Sequence, residues 1–221
     1  YLGHLNDNQA EYMDKILGTS RNLMILVNDI IDLASIEAGK MELQTKTTDI
    51  HKMLISLGSL IKDLSVRTRL DFEIVCPEKI GNFTVDEKRM KQALYNLLCN
   101  SIKFTKPGGK ITLQAARRGG EVIISITDTG IGINRKDKFR IFNTFVTTAT
   151  PENRVGAASI GLGLPLVKSL IELHGGRIKV RSNSKGGTKI SCHIPHKKLE
   201  LLTDADSNSD DATNDNSKSA A

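Results

Sequence analysis

Asn96, Asn100 and Lys103 stand four and three residues apart in the segment NLLCNSIKFT (96–105). At about 100° per residue of helix, Asn100 falls roughly 40° to one side of Asn96 and Lys103 roughly 20° to the other. Leu94, Leu97, Leu98 and Ile102 fall on the opposite half. One helix therefore offers leucines to a core and a narrow stripe of two amides and an ammonium to something else. Asparagine is a mediocre helix former and is costly to bury without a partner. Two readings fit the stripe by itself. It is either a solvated outer face, or a site in which amide oxygens meet a hard cation and the ammonium meets a phosphate.

Three glycine-containing stretches bear on that choice. DTGIGI (128–133) follows an alternating apolar run, which puts Asp128 at a strand end and Gly130 and Gly132 in the turn beyond. GLGLPL (161–166) lies where a loop enters a helix, with Pro165 tolerated in the first turn. There the glycines allow close backbone approach, and the helix start offers unpaired N–H groups to a phosphate. GGT (186–188) reads as a hairpin turn. Each stretch alone is no more than turns ordinarily use. The P-loop pattern is absent, and DTGIGI lacks the following helix and acidic partner of a dinucleotide fingerprint.

The chain has 221 residues, 39% hydrophobic and 25% charged, enough for one good core and a helical appendage. No apolar run approaches a membrane span, and the first residues do not read as a signal peptide. Cys76, Cys99 and Cys192 are odd in number and far apart, which fits neither a disulfide framework nor a zinc site and points to a reducing cytoplasm. The net charge of +6 is uneven: five Asp and one Lys beyond Thr203 give −4, leaving +10 on the rest. A basic body suits an anionic ligand. Aromatics are 4% and Trp is absent, leaving little to stack single strands, and no helix-turn-helix or zinc-finger pattern occurs. Nucleotide is the better-fitting anion, and nucleic acid is not expected as a partner.

The elements that must position these residues follow from periodicity. Residues 7–38 predict one long amphipathic helix, about 45 Å at 1.5 Å per residue, with an apolar stripe (Tyr12, Ile16, Leu23, Leu26, Ile30, Leu33) as wide as a helical bundle requires. Gly39 reads as its stop. After a polar linker, MELQTKTTD, a helix is predicted near 50–67, capped by Thr48 or Asp49, then a strand at LDFEIVC. Asp86 opens the helix carrying the polar stripe, and PGG (107–109) ends it. KITLQAA and EVIISITD predict a hairpin around RRGG. A helix is expected near 135–143 and another near 164–173, and RIKVRSN and TKISCHIP predict a last hairpin around SKGG. The expected class is α+β, with an antiparallel or mixed sheet. The tail 203–221 has the composition of a disordered acidic segment.

The order of motifs is far more specific than any one of them. NLLCNSIKFT, then DTGIGI, then the Phe pair of IFNTFV, then GLGLPL, resembles the N box, first glycine box, F box and second glycine box of bacterial sensor histidine kinases. RNLMILVNDIIDLASIEAGKMEL resembles the second helix of their dimerisation domain and its link to the ATP-binding domain. The resemblance implies residues 1–43 as that helix, 44–202 as the ATP-binding catalytic domain, and a two-layer α/β sandwich with a mixed sheet, the Bergerat ATP-binding fold, preceded by a long helix of a dimeric bundle. It implies ATP and Mg²⁺ as ligands, a homodimer, a response-regulator receiver domain as partner, a cytoplasmic location and no membrane contact by this stretch.

Residue by residue, the resemblance makes Asn100 the Mg²⁺ ligand that bridges the phosphates, with Asn96 beside it. Lys103 reaches a phosphate and Phe104 lines the pocket. Asp128 accepts the adenine amino group, Gly130 and Gly132 let the base approach, and Thr188 supports Asp128 through water. Phe142 and Phe145 anchor a lid over roughly 146–160, in which Arg154 is the most attractive anion contact. Gly161, Leu162 and Gly163 form its far hinge beside the phosphates. The implied reaction is transfer of the ATP γ-phosphate to a histidine and thence to a response regulator.

Departures from the pattern also carry information. None of His4, His51, His174, His193 and His196 has the sequence context of the phosphoaccepting histidine, so that residue is expected upstream and the chain is expected not to phosphorylate itself. Ser101 stands where alanine is usual, and GAASIGLGL is longer and less regular than the usual run into the second glycine box. The altered lid leaves an alternative: a pseudokinase scaffold that binds nucleotide weakly or not at all and regulates another kinase or a response regulator. A gyrase-like or mismatch-repair-like ATPase would carry a glutamate base where this chain has Asn96.

Overall fold

The computed structural model describes residues 6–146, 161–182 and 186–196. The expected acidic tail, most of the expected lid, Arg154 and His4 lie outside the described residues.

The long helix α1 runs Asp7–Glu37 and begins with a reciprocal cap: Asn6 Oδ1 accepts from the Gln9 N–H at 2.9 Å, and Gln9 Oε1 accepts from the Asn6 N–H at 3.0 Å. Gly39, at φ 65°, ends it in the left-handed conformation. Only its last turns join the core. Leu33 is buried and Leu26 and Ile36 pack against the core, whereas Tyr12, Ile16, Leu23, Val27 and Ile30 stay exposed.

The linker after α1 is more ordered than its polar sequence suggests. Its second half is strand β1 (Lys46–Asp49), antiparallel to β3 (Asn82–Val85) with Thr48 opposite Phe83. Asp49 then caps helix α2 (Ile50–Arg67) by accepting from the Lys52 N–H. The second sheet holds β2 (Asp71–Val75), β4 (Lys110–Arg118), β5 (Glu121–Asp128), β7 (Thr188–Pro195) and β6 (Arg177–Ser182), in the order β2-β4-β5-β7-β6. It is mixed: β2 runs parallel to β4, and the other pairings are antiparallel.

Alternation decides which face is covered. Ile111, Leu113, Val122, Ile124, Ile126, Cys192 and Ile194 are buried under α2, α3 (Glu87–Phe104) and α4 (Gly163–Leu173). The apolar half of α3 (Leu94, Leu97, Leu98, Ile102) lies in that core, each side chain contributing about 1.5–3 kcal/mol of transfer free energy. The result is a two-layer α+β sandwich.

One expected element is absent. Residues 135–143 form a turn and a single 3-10 turn at Arg140–Phe142 rather than a helix. Only Ile141 between 134 and 146 is buried, and Phe139 is 88% exposed. A segment this short has no apolar stripe to hold it, and isolated helices of its length are unstable in water. The Asp137 carbonyl instead accepts from the N–H groups of both Arg140 and Ile141.

Candidate nucleotide-binding site

Asp86 caps α3, its Oδ1 accepting from the Arg89 N–H at 3.1 Å and its Oδ2 from the linker's Gln44 N–H at 3.0 Å. The cap fixes the helix start, so the stripe Asn96–Asn100–Lys103 faces away from the buried leucines as the spacing requires. Asn96 is half-buried and its Nδ2 has no hydrogen-bond partner, a costly state for an amide unless a ligand or water completes it. Lys103 is half-buried and engaged.

The start of α4 sits directly on this stripe. A Cβ at Gly163 would lie 3.8 Å from Asn100 Nδ2 and 3.9 Å from Asn96 Cγ. Leu162, buried, occupies the cap position of α4 and makes no side-chain capping bond to the helix start. The uncapped helix start and two asparagines thus converge at one place, a combination suited to phosphate oxygens. Gly161, at φ 82°, is packed so closely that a Cβ there would meet the Val146 carbonyl at 2.7 Å, and its own carbonyl accepts from the Phe145 N–H at 3.2 Å. The two flanks of the expected lid therefore meet at its base.

A cavity of about 340 Å³ opens beside the stripe, within the small-molecule range of roughly 300–1,000 Å³. Leu97, Ile131, Ile141, Leu164 and Ile190 give it apolar walls, and Asn100, Phe104, Gly132, Asp137 and Thr188 line it too. Asp128 stands at its floor, only 8% exposed, where β5 ends between Ile111 of β4 and Thr188 of β7. Its Oδ1 accepts from the Gly130 N–H at 2.9 Å and the Thr188 N–H at 3.2 Å, and its Oδ2 accepts from Ser101 Oγ at 3.3 Å. Burial pushes the Asp128 carboxyl above its ordinary value even though all three bonds favour the anion. Gly130 must be glycine: a Cβ would sit 2.3 Å from the Phe104 carbonyl oxygen.

The structure brings Asn100, Phe104, Asp128, Gly132 and Thr188 to the cavity, with Gly130 directly behind Asp128. Asn96 and Gly163 lie beside its lining residue Asn100, with Leu162 and Gly161 just before Gly163 in the chain. Thr188 reaches Asp128 directly through its backbone, while its Oγ1 pairs with Ser182 Oγ at 3.1 Å. Phe142 is half-buried and Phe145 is 67% exposed with φ 62°; neither lines the cavity. Sequence reasoning missed Asp137 as a wall residue and Ser101 as a partner of Asp128. The signal for Ser101 was a hydroxyl on the leucine side of the helix, where a core position would be apolar.

The family model for histidine kinase-, DNA gyrase B- and HSP90-like ATPases matches residues 85–198, just over half of the chain. The chain belongs to this ATPase family. It is 34% identical over 202 residues to the circadian input-output histidine kinase CikA of Synechococcus elongatus, covering 90% of this chain and 26% of that protein. Full-length ShkA, solved in complex with AMPPNP, superposes with a TM-score of 0.75 at 28% identity, over 88% of this chain and 40% of that one. The histidine kinase ThkA, solved in complex with the response regulator TrrA, shares the fold at 23% identity with a TM-score of 0.67, over 89% of this chain and 53% of that one. The chain therefore spans about a quarter of the curated relative and about half or less of these solved chains.

Proposed function

We propose that this chain is the ATP-binding, phosphoryl-donating part of a two-component sensor histidine kinase. The carrying observation is Asp128. Two backbone N–H groups hold one of its oxygens, Ser101 holds the other, and the carboxylate lines a largely apolar cavity, an arrangement that suits an exocyclic amine of a purine. Adenine lies against Phe104, Ile131 and Ile190, with Gly130 and Gly132 permitting its approach. The phosphates run out along the asparagine stripe to the amino end of α4, where the helix-start N–H groups and Lys103 meet their charge.

Among the described residues no cluster of three His, Cys, Asp or Glu side chains can hold a metal. A cation here would take the Asn100 amide oxygen and phosphate oxygens as ligands, a donor set that suits Mg²⁺. Bound there, Mg²⁺ would supply neutralisation of the phosphate charge during transfer. The chain's own residues orient the triphosphate, screen it and keep water from the cavity floor. The acceptor is a histidine supplied outside this stretch, and a receiver domain of a response regulator takes the phosphoryl group onward.

The exposed apolar residues Tyr12, Ile16, Leu23, Val27 and Ile30 of α1 suit a second copy of the same helix, which makes a homodimer. No helix among the described residues is long and apolar enough to cross a membrane. The reading is tested by joining this chain to a phosphoacceptor helix and supplying γ-labelled ATP with Mg²⁺. Label stable to base and labile to acid is expected, with loss in Asn100→Ala. A folded fusion that gains no such label contradicts it.

A further inference from the structure

We propose that Ser101 is a positioning residue for base selection, its hydroxyl holding Asp128 Oδ2 aimed into the cavity. The proposal rests on the reading of Asp128 as the adenine acceptor. Ser101 is 7% exposed and sits on the leucine side of α3. A buried serine in a helix ordinarily turns its hydroxyl back to the carbonyl one turn earlier. This one bonds across to the end of β5, to Asp128 Oδ2 at 3.3 Å. One turn on, Thr105 shows the ordinary habit, donating to the Ser101 carbonyl at 2.7 Å.

The geometry divides the carboxylate into two functions. Oδ1 receives two backbone N–H groups, so its position is set by the β5 end and the turn after it. Those bonds orient the carboxylate through Oδ1, and Oδ2 takes its own bond from the Ser101 hydroxyl. Ser101 supplies the third point, and a carboxylate oxygen has a second lone pair left for a ligand amine.

The experiment measures dissociation constants of the full chain for ATP and for purine riboside triphosphate, which lacks the 6-amino group, in wild type, Ser101→Ala and Asp128→Asn. Hydrogen bonds to charged groups imply a weakening of ATP by about tenfold in Ser101→Ala. The analogue, with no amine for Oδ2, is expected to change less than about twofold. Alanine is the better helix former, and an unchanged circular dichroism spectrum verifies that the variant folds. Equal weakening of both ligands would mean a purely structural serine, and an unchanged ATP affinity would mean no role; either overturns the proposal. If Asp128→Asn binds ATP like wild type, the adenine reading itself falls. If Asp128→Asn loses ATP and Ser101→Ala does not, only the serine's role falls.

Discussion

Replacing Gly130 by alanine tests the claim that the turn after β5 is built for backbone contact rather than for conformational freedom. Gly130 is not among the glycines with positive φ, so strain at φ is not the issue. The new Cβ would fall 2.3 Å from the Phe104 carbonyl oxygen and 2.9 Å from Asp128 Oδ1. Ordinary carbon–oxygen contacts begin near 3.3 Å, so the two segments must part by about 1 Å. The Phe104 carbonyl cannot yield freely, because it accepts from the Ile131 N–H at 3.1 Å and ends α3. The Gly130 carbonyl in turn accepts from the Gly187 N–H at 2.7 Å. Overpacking costs about 1–3 kcal/mol and a lost hydrogen bond about 1 kcal/mol more. The total, about 2–4 kcal/mol, corresponds to a fall in Tm of roughly 5–15 °C for a chain of this size. Calorimetric melting of wild type and Gly130→Ala reads it. Gly18→Ala is the matched control: nothing lies within 4 Å of its Cβ, and it sits inside α1, so the same substitution should raise stability by about 0.5–1 kcal/mol. A Gly130→Ala chain melting within about 2 °C of wild type refutes the steric reasoning.

Two further outcomes concern the junction of α1 with the body. Burial, then the neighbouring Asp32 charge, push the Asp29 carboxyl up to about 6, with Gln92 opposing. A folded-state value above the unfolded one means a penalty that is full above pH 6 and relieved as pH falls toward 4. Asp29→Asn should therefore stabilise by about 1–3 kcal/mol at pH 8 and by little below pH 4, read by denaturant melts across that range. Arg89 donates to Asp32 Oδ2 at 2.7 Å and to Gln92 Oε1 at 3.0 Å, tying α3 to α1. Arg89→Ala should speed hydrogen exchange in residues 29–45 by about tenfold while leaving the carboxyl half of α3 protected, and equal exchange in both variants would count against that tie.

Much of this architecture is written locally. The helices α2 and α3 begin where Asp49 and Asp86 can accept from N–H groups three residues on, and the β4–β5 hairpin turns where Gly119 and Gly120 take positive φ. The polar stripe of α3 needed only the helical repeat. What escaped reading depends on distant partners. KTTD and NFTV have too few apolar residues to announce strands, and they pair only because the chain folds back across all of α2 and β2. The segment 135–143 has helical composition but a single buried residue, and burial decided against it. Ser101 and Asp128 lie 27 residues apart, and no spacing rule joins a helix interior to a strand end.

The most direct test of the central claim is a calorimetric titration of this chain with ATP in the presence of Mg²⁺, repeated with EDTA and with Asn100→Ala. One nucleotide per chain, weakened by EDTA and lost in the variant, is the predicted result. A folded chain that takes up no ATP, or one that binds it equally well without Asn100, would contradict the account.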